Sequence, residues 1–111
     1  MLKPDQIRIQ HMLDASKEAL FFLAGKSKED LETNRQLILS LVREIEIIGE
    51  AASKVSDETK TLFPKIPWAQ IINMRNHLIH VYFDVDLDIV WDTTQKDLPL
   101  LVESLQKVLS S

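Results

Sequence analysis

Asn73, Asn76, His77 and His80 recur at helical spacing within one apolar-rich segment, Pro67 to Phe83. At 100° per residue they fall in one stripe about 100° wide, and Ile71, Met74, Leu78 and Val81 fall in another that reads as core. A solvated helix face ordinarily carries Lys and Glu. A face of amides and imidazoles has instead the composition of a site or a polar interface. Histidine, with an ordinary pKa near 6.5, gives or takes a proton at neutral pH. Arg75, in the same segment, stays charged, and its planar fork matches two oxygens of a phosphate. Together these residues can move protons beside an anion. One geometric difficulty stands out: Arg75 and His80 are five residues apart, about 140° on an ideal helix, and Arg75 lines up instead with Tyr82. The helix deforms, Arg75 reaches around, or two chains contribute to one site.

The surrounding composition narrows the choices. The chain has 111 residues, 13 Lys+Arg against 17 Asp+Glu, a net charge of −4, no cysteine and two glycines. That length suits one domain over residues 1–111 that needs no disulfide or metal staple. Without cysteine there is no thiolate nucleophile, no disulfide and no Cys-based zinc or iron–sulfur site. No phosphate-binding glycine motif occurs, so no nucleotide cofactor is expected. No apolar run is long enough to span a membrane, and no signal-peptide core opens the chain, so a cytoplasmic location is the expectation. Acidic net charge argues against a surface-wide nucleic-acid binder. The charge is uneven, however: residues 59–83 hold Lys60, Lys65 and Arg75 with no Asp or Glu, a window of +3 on a body of −7. A local anion site on an acidic body is compatible with both.

Helices must position this segment. Pro4 and Asp5 start a first helix whose apolar side is Ile7, Ile9, Met12, Leu13, Ala19, Leu20, Phe22 and Leu23, with Gly25 at its C-terminal end. Ser27, with Asp30 three residues on, opens the next element as a capping box. Leu31, Asn34, Ile38, Leu41, Ile45, Ile48, Ala52 and Val55 then follow a heptad seam interrupted only by Asn34. Such a seam requires long, nearly aligned neighbours, either within one bundle or partly on a second copy of the chain. Ser56-Asp57-Glu58 caps a short turn ending at Phe63. Pro67 stands at the first position of the helix running from Trp68 to about Phe83. Asp84 and Asp86 mark the next turn, and Asp86 or Asp88 caps a last helix from Leu87 that Pro99 kinks or divides. Its apolar residues Leu98, Leu101, Leu105, Val108 and Leu109 return to the core. A strand over Leu78–Val85 has no partner, so the predicted class is all-α, an antiparallel bundle of four to five helices.

Three strings together resemble a known family. Ile66-Pro67-Trp68 is followed by Met74-Arg75-Asn76, then His80 and Tyr82; Ile48-Gly49-Glu50-Ala51-Ala52 lies on the seam helix; Asp86-Leu87-Asp88-Ile89-Val90-Trp91 opens the last helix. They resemble the HEPN superfamily, and more narrowly the HepT-like toxins of prokaryotic toxin–antitoxin pairs, whose Arg-x4-His-x-Tyr motif is matched by Arg75, His80 and Tyr82. The resemblance covers essentially the whole chain. It implies a helical homodimer whose two motif helices meet across the two-fold axis and form a composite, metal-independent ribonuclease site with no cofactor. It implies RNA as substrate and a nucleotidyltransferase antitoxin as partner, which transfers AMP to the motif tyrosine, Tyr82. In such a site His80 is the general base or acid, Arg75 the phosphate clamp, and Asn76 orients the phosphate or the imidazole. Asn73, His77 and Glu50 are supporting candidates.

Each residue also has a plainer reading. His80 is equally a hydrogen-bonded helix or interface histidine, and Arg75 an ion-pair donor to Glu46 or Glu50. Tyr82 is a core residue with a wet hydroxyl, and His11 a surface histidine. Trp68 and Trp91 read as core, Trp68 helping to seat the motif helix. Glu44, Glu46 and Glu50 read as a solvated acidic face, with no histidine spaced for a metal. The alternative function, from a different class, is a non-catalytic helical dimer that scaffolds or regulates a nucleotidyltransferase.

Overall fold

The computed structural model describes residues 1–80 and 86–111, and the side chains of all these except 77–80. The fold is all-α, and no strand occurs among the described residues. Its elements are α1 (Lys3–Leu23), α2 (Lys28–Thr33), α3 (Arg35–Lys54), α4 (Asp57–Leu62), α5 (Trp68–His80), α6 (Leu87–Asp92), a π-helical turn (Thr93–Asp97) and α7 (Leu98–Leu109). Four longer helices make the body. α3 packs against both α1 and α5, and α7 lies along α1.

The heptad seam is the spine of this arrangement. Leu31, Ile38, Leu41, Ile45, Ile48, Ala52 and Val55 are all buried. The seam is not one continuous helix. Asn34 ends α2 and caps α3, its Oδ1 accepting from the Leu37 N–H at 3.0 Å. The polar residue in the seam is therefore a helix break, because an asparagine side chain competes for backbone donors most effectively at an N-cap. On α1, Ile9, Met12, Leu13, Ala19 and Leu23 are buried, whereas Ile7 is 48% exposed and stands outside the core. On α7, Leu98, Leu101, Leu105 and Val108 complete it.

The connections follow local chemistry. Gly25 has φ +75°, a left-handed conformation that turns the chain just beyond α1. The Asp30 carboxylate accepts from the Ser27 N–H at 2.7 Å, which closes the expected capping box. Asp86 is the N-cap of α6, accepting from the N–H groups of Asp88 and Ile89 at 3.0 and 3.2 Å; Asp84 lies outside the described residues. A salt bridge between Lys28 and Asp88 ties α2 to α6. Pro99 sits in the first turn of α7, and the π-helical turn precedes it. The expected division of the last helix is thus made by a change of hydrogen-bond register, which absorbs a residue that cannot donate.

Two buried carboxyl groups behave in opposite ways. Asp5, 3% exposed, accepts from the Ser56 N–H at 3.1 Å, the Ser56 hydroxyl at 2.6 Å and the Thr59 hydroxyl at 2.7 Å. These bonds, Ser56 first and then Thr59, hold its pKa below the ordinary value against the opposing effect of burial. Asp5 thereby pins the start of α1 to the α3–α4 corner. Glu44 does not belong to a solvated acidic face, as the sequence suggested. It is 6% exposed, its Oε2 has no hydrogen-bond donor among the described residues, and its pKa is pushed up to about 7. Burial is the main cause, with the Glu18 carboxylate of α1 adding to it and Arg43 opposing. Glu46 is half-buried and Glu50 exposed.

Candidate active site

The motif helix begins at an anchored corner. The Ile66 N–H donates to the Phe63 carbonyl at 3.3 Å, and the Trp68 Nε1–H donates to the same carbonyl at 3.0 Å. Ile66 and Trp68 are 2% and 8% exposed, so the first turn of α5 is pinned by two buried side chains and by a carbonyl that holds two donors. Pro67 stands one position before the first helical residue rather than at it, its carbonyl accepting from the Ile71 N–H at 3.0 Å. Trp68 therefore seats the helix as expected.

From this corner α5 runs along α3 and passes close over Gly49. A Cβ added to Gly49 would lie 2.4 Å from Arg75 Cβ, 3.0 Å from Cγ and 3.2 Å from Cδ. The aliphatic stem of Arg75 thus lies directly on the glycine. Its guanidinium turns to its neighbour: Nε and Nη2 both donate to Asn76 Oδ1, at 3.1 and 2.7 Å. Arg75 and Asn76 are half-buried. The ion pairs expected on the plainer reading of Arg75 do not form. Glu46 pairs with Arg43 at 3.5 Å and Glu50 with Lys54 at 3.3 Å, and no carboxylate lies within salt-bridge distance of Arg75 among the described residues. A guanidinium fixed at its stem and at one edge, with its charge unneutralised, retains N–H groups for an external acceptor.

Asn73 is exposed on the same helix, one turn before Asn76 and His77, and makes no hydrogen bond among the described residues. Glu50 is turned to Lys54 rather than to Arg75. α5 is α-helical from Trp68 through His80, so no break in the backbone brings His80 round to the Arg75 face, and the angle of about 140° between them persists. The His77 and His80 side chains and the whole of Tyr82 lie outside the described residues, as do Val81 and the Leu78 side chain of the expected core stripe. Ile71 and Met74, read from the sequence as core, are only half-buried. They line an open groove of about 410 Å³ with Ile45, Ile48, Leu98 and Leu101, because α7 does not close over this part of α5. No three His, Asp or Glu side chains converge among the described residues.

Sequence reasoning named Gly49 only as part of a motif and missed its contact with Arg75. A signal was present: glycine weakens the interior of a helix, and one placed within a regular heptad seam has a packing reason.

Comparison with known proteins agrees with this picture. The model of the family described as "Ribonuclease HepT-like" matches residues 12–108. A Thermococcus cleftensis protein named "Probable ribonuclease HepT" is 38% identical over 80 residues, 72% of this chain and 73% of its own length. A Caldanaerobacter subterraneus protein named "Putative RNase TTE0752" is 33% identical over 108 residues, 97% of this chain and 96% of its own. The Methanocaldococcus jannaschii protein named "Gamma-glutamylcyclotransferase and putative RNase MJ0434" is 34% identical over 109 residues, and this chain spans only 49% of that protein. No solved structure matches at comparable significance. With an all-α fold, an anchored motif helix and a family match over most of its length, the chain belongs to the ribonuclease HepT-like family of the HEPN superfamily.

Proposed function

We propose that this protein is a metal-independent endoribonuclease, the toxin of a toxin–antitoxin pair, acting as a homodimer. The observation that carries the reading is the Arg75 guanidinium, seated on Gly49, oriented by Asn76 and paired with no carboxylate among the described residues. A half-buried, preorientated cation with spare N–H groups stabilises a phosphorane better than a solvated one, because it does not reorganise as charge develops. Arg75 grips the scissile phosphate. One imidazole takes the proton from the ribose 2′-hydroxyl, O2′ attacks phosphorus, and the bond to O5′ breaks as O5′ receives a proton. His80 fills one of these proton-transfer roles. Since positions 75 and 80 stand about 140° apart around one helix, the site combines Arg75 of one protomer with His80 of its partner. Asn76 holds Arg75 and thereby acts on the phosphate through it.

The antitoxin is a nucleotidyltransferase that transfers AMP from ATP to the Tyr82 hydroxyl, which gives up its proton as pyrophosphate leaves, and so silences the site. RNA is the substrate, and no bound metal or cofactor takes part. The test is cleavage of RNA by purified protein in excess EDTA, beside Arg75→Ala and His80→Ala. Cleavage that survives the chelator and falls by a hundredfold or more, on the order of the loss expected for a group aimed at transition-state charge, supports the assignment. If all three proteins behave alike, cleavage is a contaminant, and the non-catalytic dimer that scaffolds a nucleotidyltransferase becomes the better reading.

A further inference from the structure

We propose that Gly49, on a different helix from the motif, is a positioning residue for Arg75; this rests on the reading of Arg75 as the phosphate clamp. The glycine is not required by the backbone. It lies inside α3, and the only glycine with positive φ among the described residues is Gly25. Alanine in its place would favour the helix. What forbids alanine is space: the three atoms nearest a Cβ at this position are Cβ, Cγ and Cδ of Arg75, the closest at 2.4 Å. Since Cβ atoms do not approach so closely and neither Cβ can rotate away, relief requires α5 to back off from α3 by about an ångström. Change of rotamer moves Cγ and Cδ but leaves the shortest contact in place.

Gly49 and Asn76 therefore restrain Arg75 at opposite ends. The glycine sets the height of its stem above α3, and the Asn76 Oδ1 fixes the plane of its guanidinium through Nε and Nη2. The corner at Ile66 and Trp68 holds the start of α5 to the core, so a push at Gly49 tilts the helix about that anchor and displaces the part carrying Arg75. A displacement of this size is enough to cost a catalytic group most of its effect.

The experiment is Gly49→Ala, with Arg75→Ala, Arg75→Gly and the double variant Gly49→Ala/Arg75→Gly, in which no Cβ at position 75 opposes the new one. Gly49→Ala is expected to lower kcat for RNA cleavage by on the order of a hundredfold while far-UV circular dichroism is unchanged. In RNA binding its salt slope falls by about 0.7, one phosphate contact on a single strand, as in Arg75→Ala, and the double variant binds no more weakly than Arg75→Gly alone. A merely structural glycine gives additive losses instead, and that result, or wild-type cleavage by Gly49→Ala, overturns the proposal. Should Gly49→Ala fail to fold, Gly49→Ala/Arg75→Gly removes the opposing Cβ and must restore the fold; persistent unfolding overturns the proposal. Should the wild type and Arg75→Ala cleave alike, the ribonuclease reading fails separately. NMR of the Arg75 Nε–H then decides: faster exchange with water in Gly49→Ala supports the seat, and an unchanged rate refutes it.

Discussion

Glu44→Gln makes the protein more stable above neutral pH and leaves it nearly unchanged in mild acid. Folded Glu44 holds its proton up to about pH 7, against an ordinary value of 4.5, so the folded state binds more protons than the unfolded state between these limits. The contribution of this group to stability is complete below about pH 4.5, is lost as pH rises towards 7, and is gone beyond it. At about 1.4 kcal/mol per pKa unit the loss amounts to about 3 kcal/mol. A glutamine of the same shape does not titrate, and its amide N–H can donate to the Glu18 carboxylate across the α1–α3 contact. Urea unfolding of wild type and variant at half-unit steps from pH 5 to 8.5 measures the difference. The gap between the two curves opens with pH to about 2–3 kcal/mol. A gap that is the same at every pH refutes the reasoning, since it would mean that Glu44 titrates alike in the folded and unfolded chains. Glu18→Gln narrows the pH dependence only in part, because burial is a larger cause of the raised value than the neighbouring charge.

Asp5 has the opposite sign: its lowered pKa contributes stability that is present above about 3.8 and is lost as pH falls through the folded value. Asp5→Ala removes three hydrogen bonds made by a 3%-exposed carboxylate and should cost about 3 kcal/mol at pH 7, read as a lower urea midpoint that falls less steeply than the wild type's as pH drops below about 3.8. Gly25→Ala meets no atom within 4 Å but forces φ +75° on an L side chain, for a cost of about 1 kcal/mol in the same assay and no change in RNA cleavage.

Much of the fold was legible because its information is local and periodic. A helix buries residues three and four apart, so Leu31 to Val55 announced their shared face, and Ser27, Ser56 and Asp86 announced helix starts by being able to accept from backbone N–H groups a few residues on. The resemblance to the HepT-like family was legible for a similar reason: Pro67, Trp68, Arg75 and Asn76 all lie on one short stretch of sequence. What the pattern could not convey was the relation between elements distant along the chain. Glu44, Glu46 and Glu50 lie close together on one helix, and only the packing of α1 across α3 decided that the first is buried, the second half-buried and the third exposed. Ile71 and Met74 have the spacing of core residues, and only the path of α7 left them lining a groove. Gly49 and Arg75 are 26 positions apart, and nothing in either neighbourhood states that their helices touch at that height. Periodicity specifies which side of a helix is covered; how closely the covering element approaches is set by the side chains of both partners together, and that quantity exists only once the chain has folded.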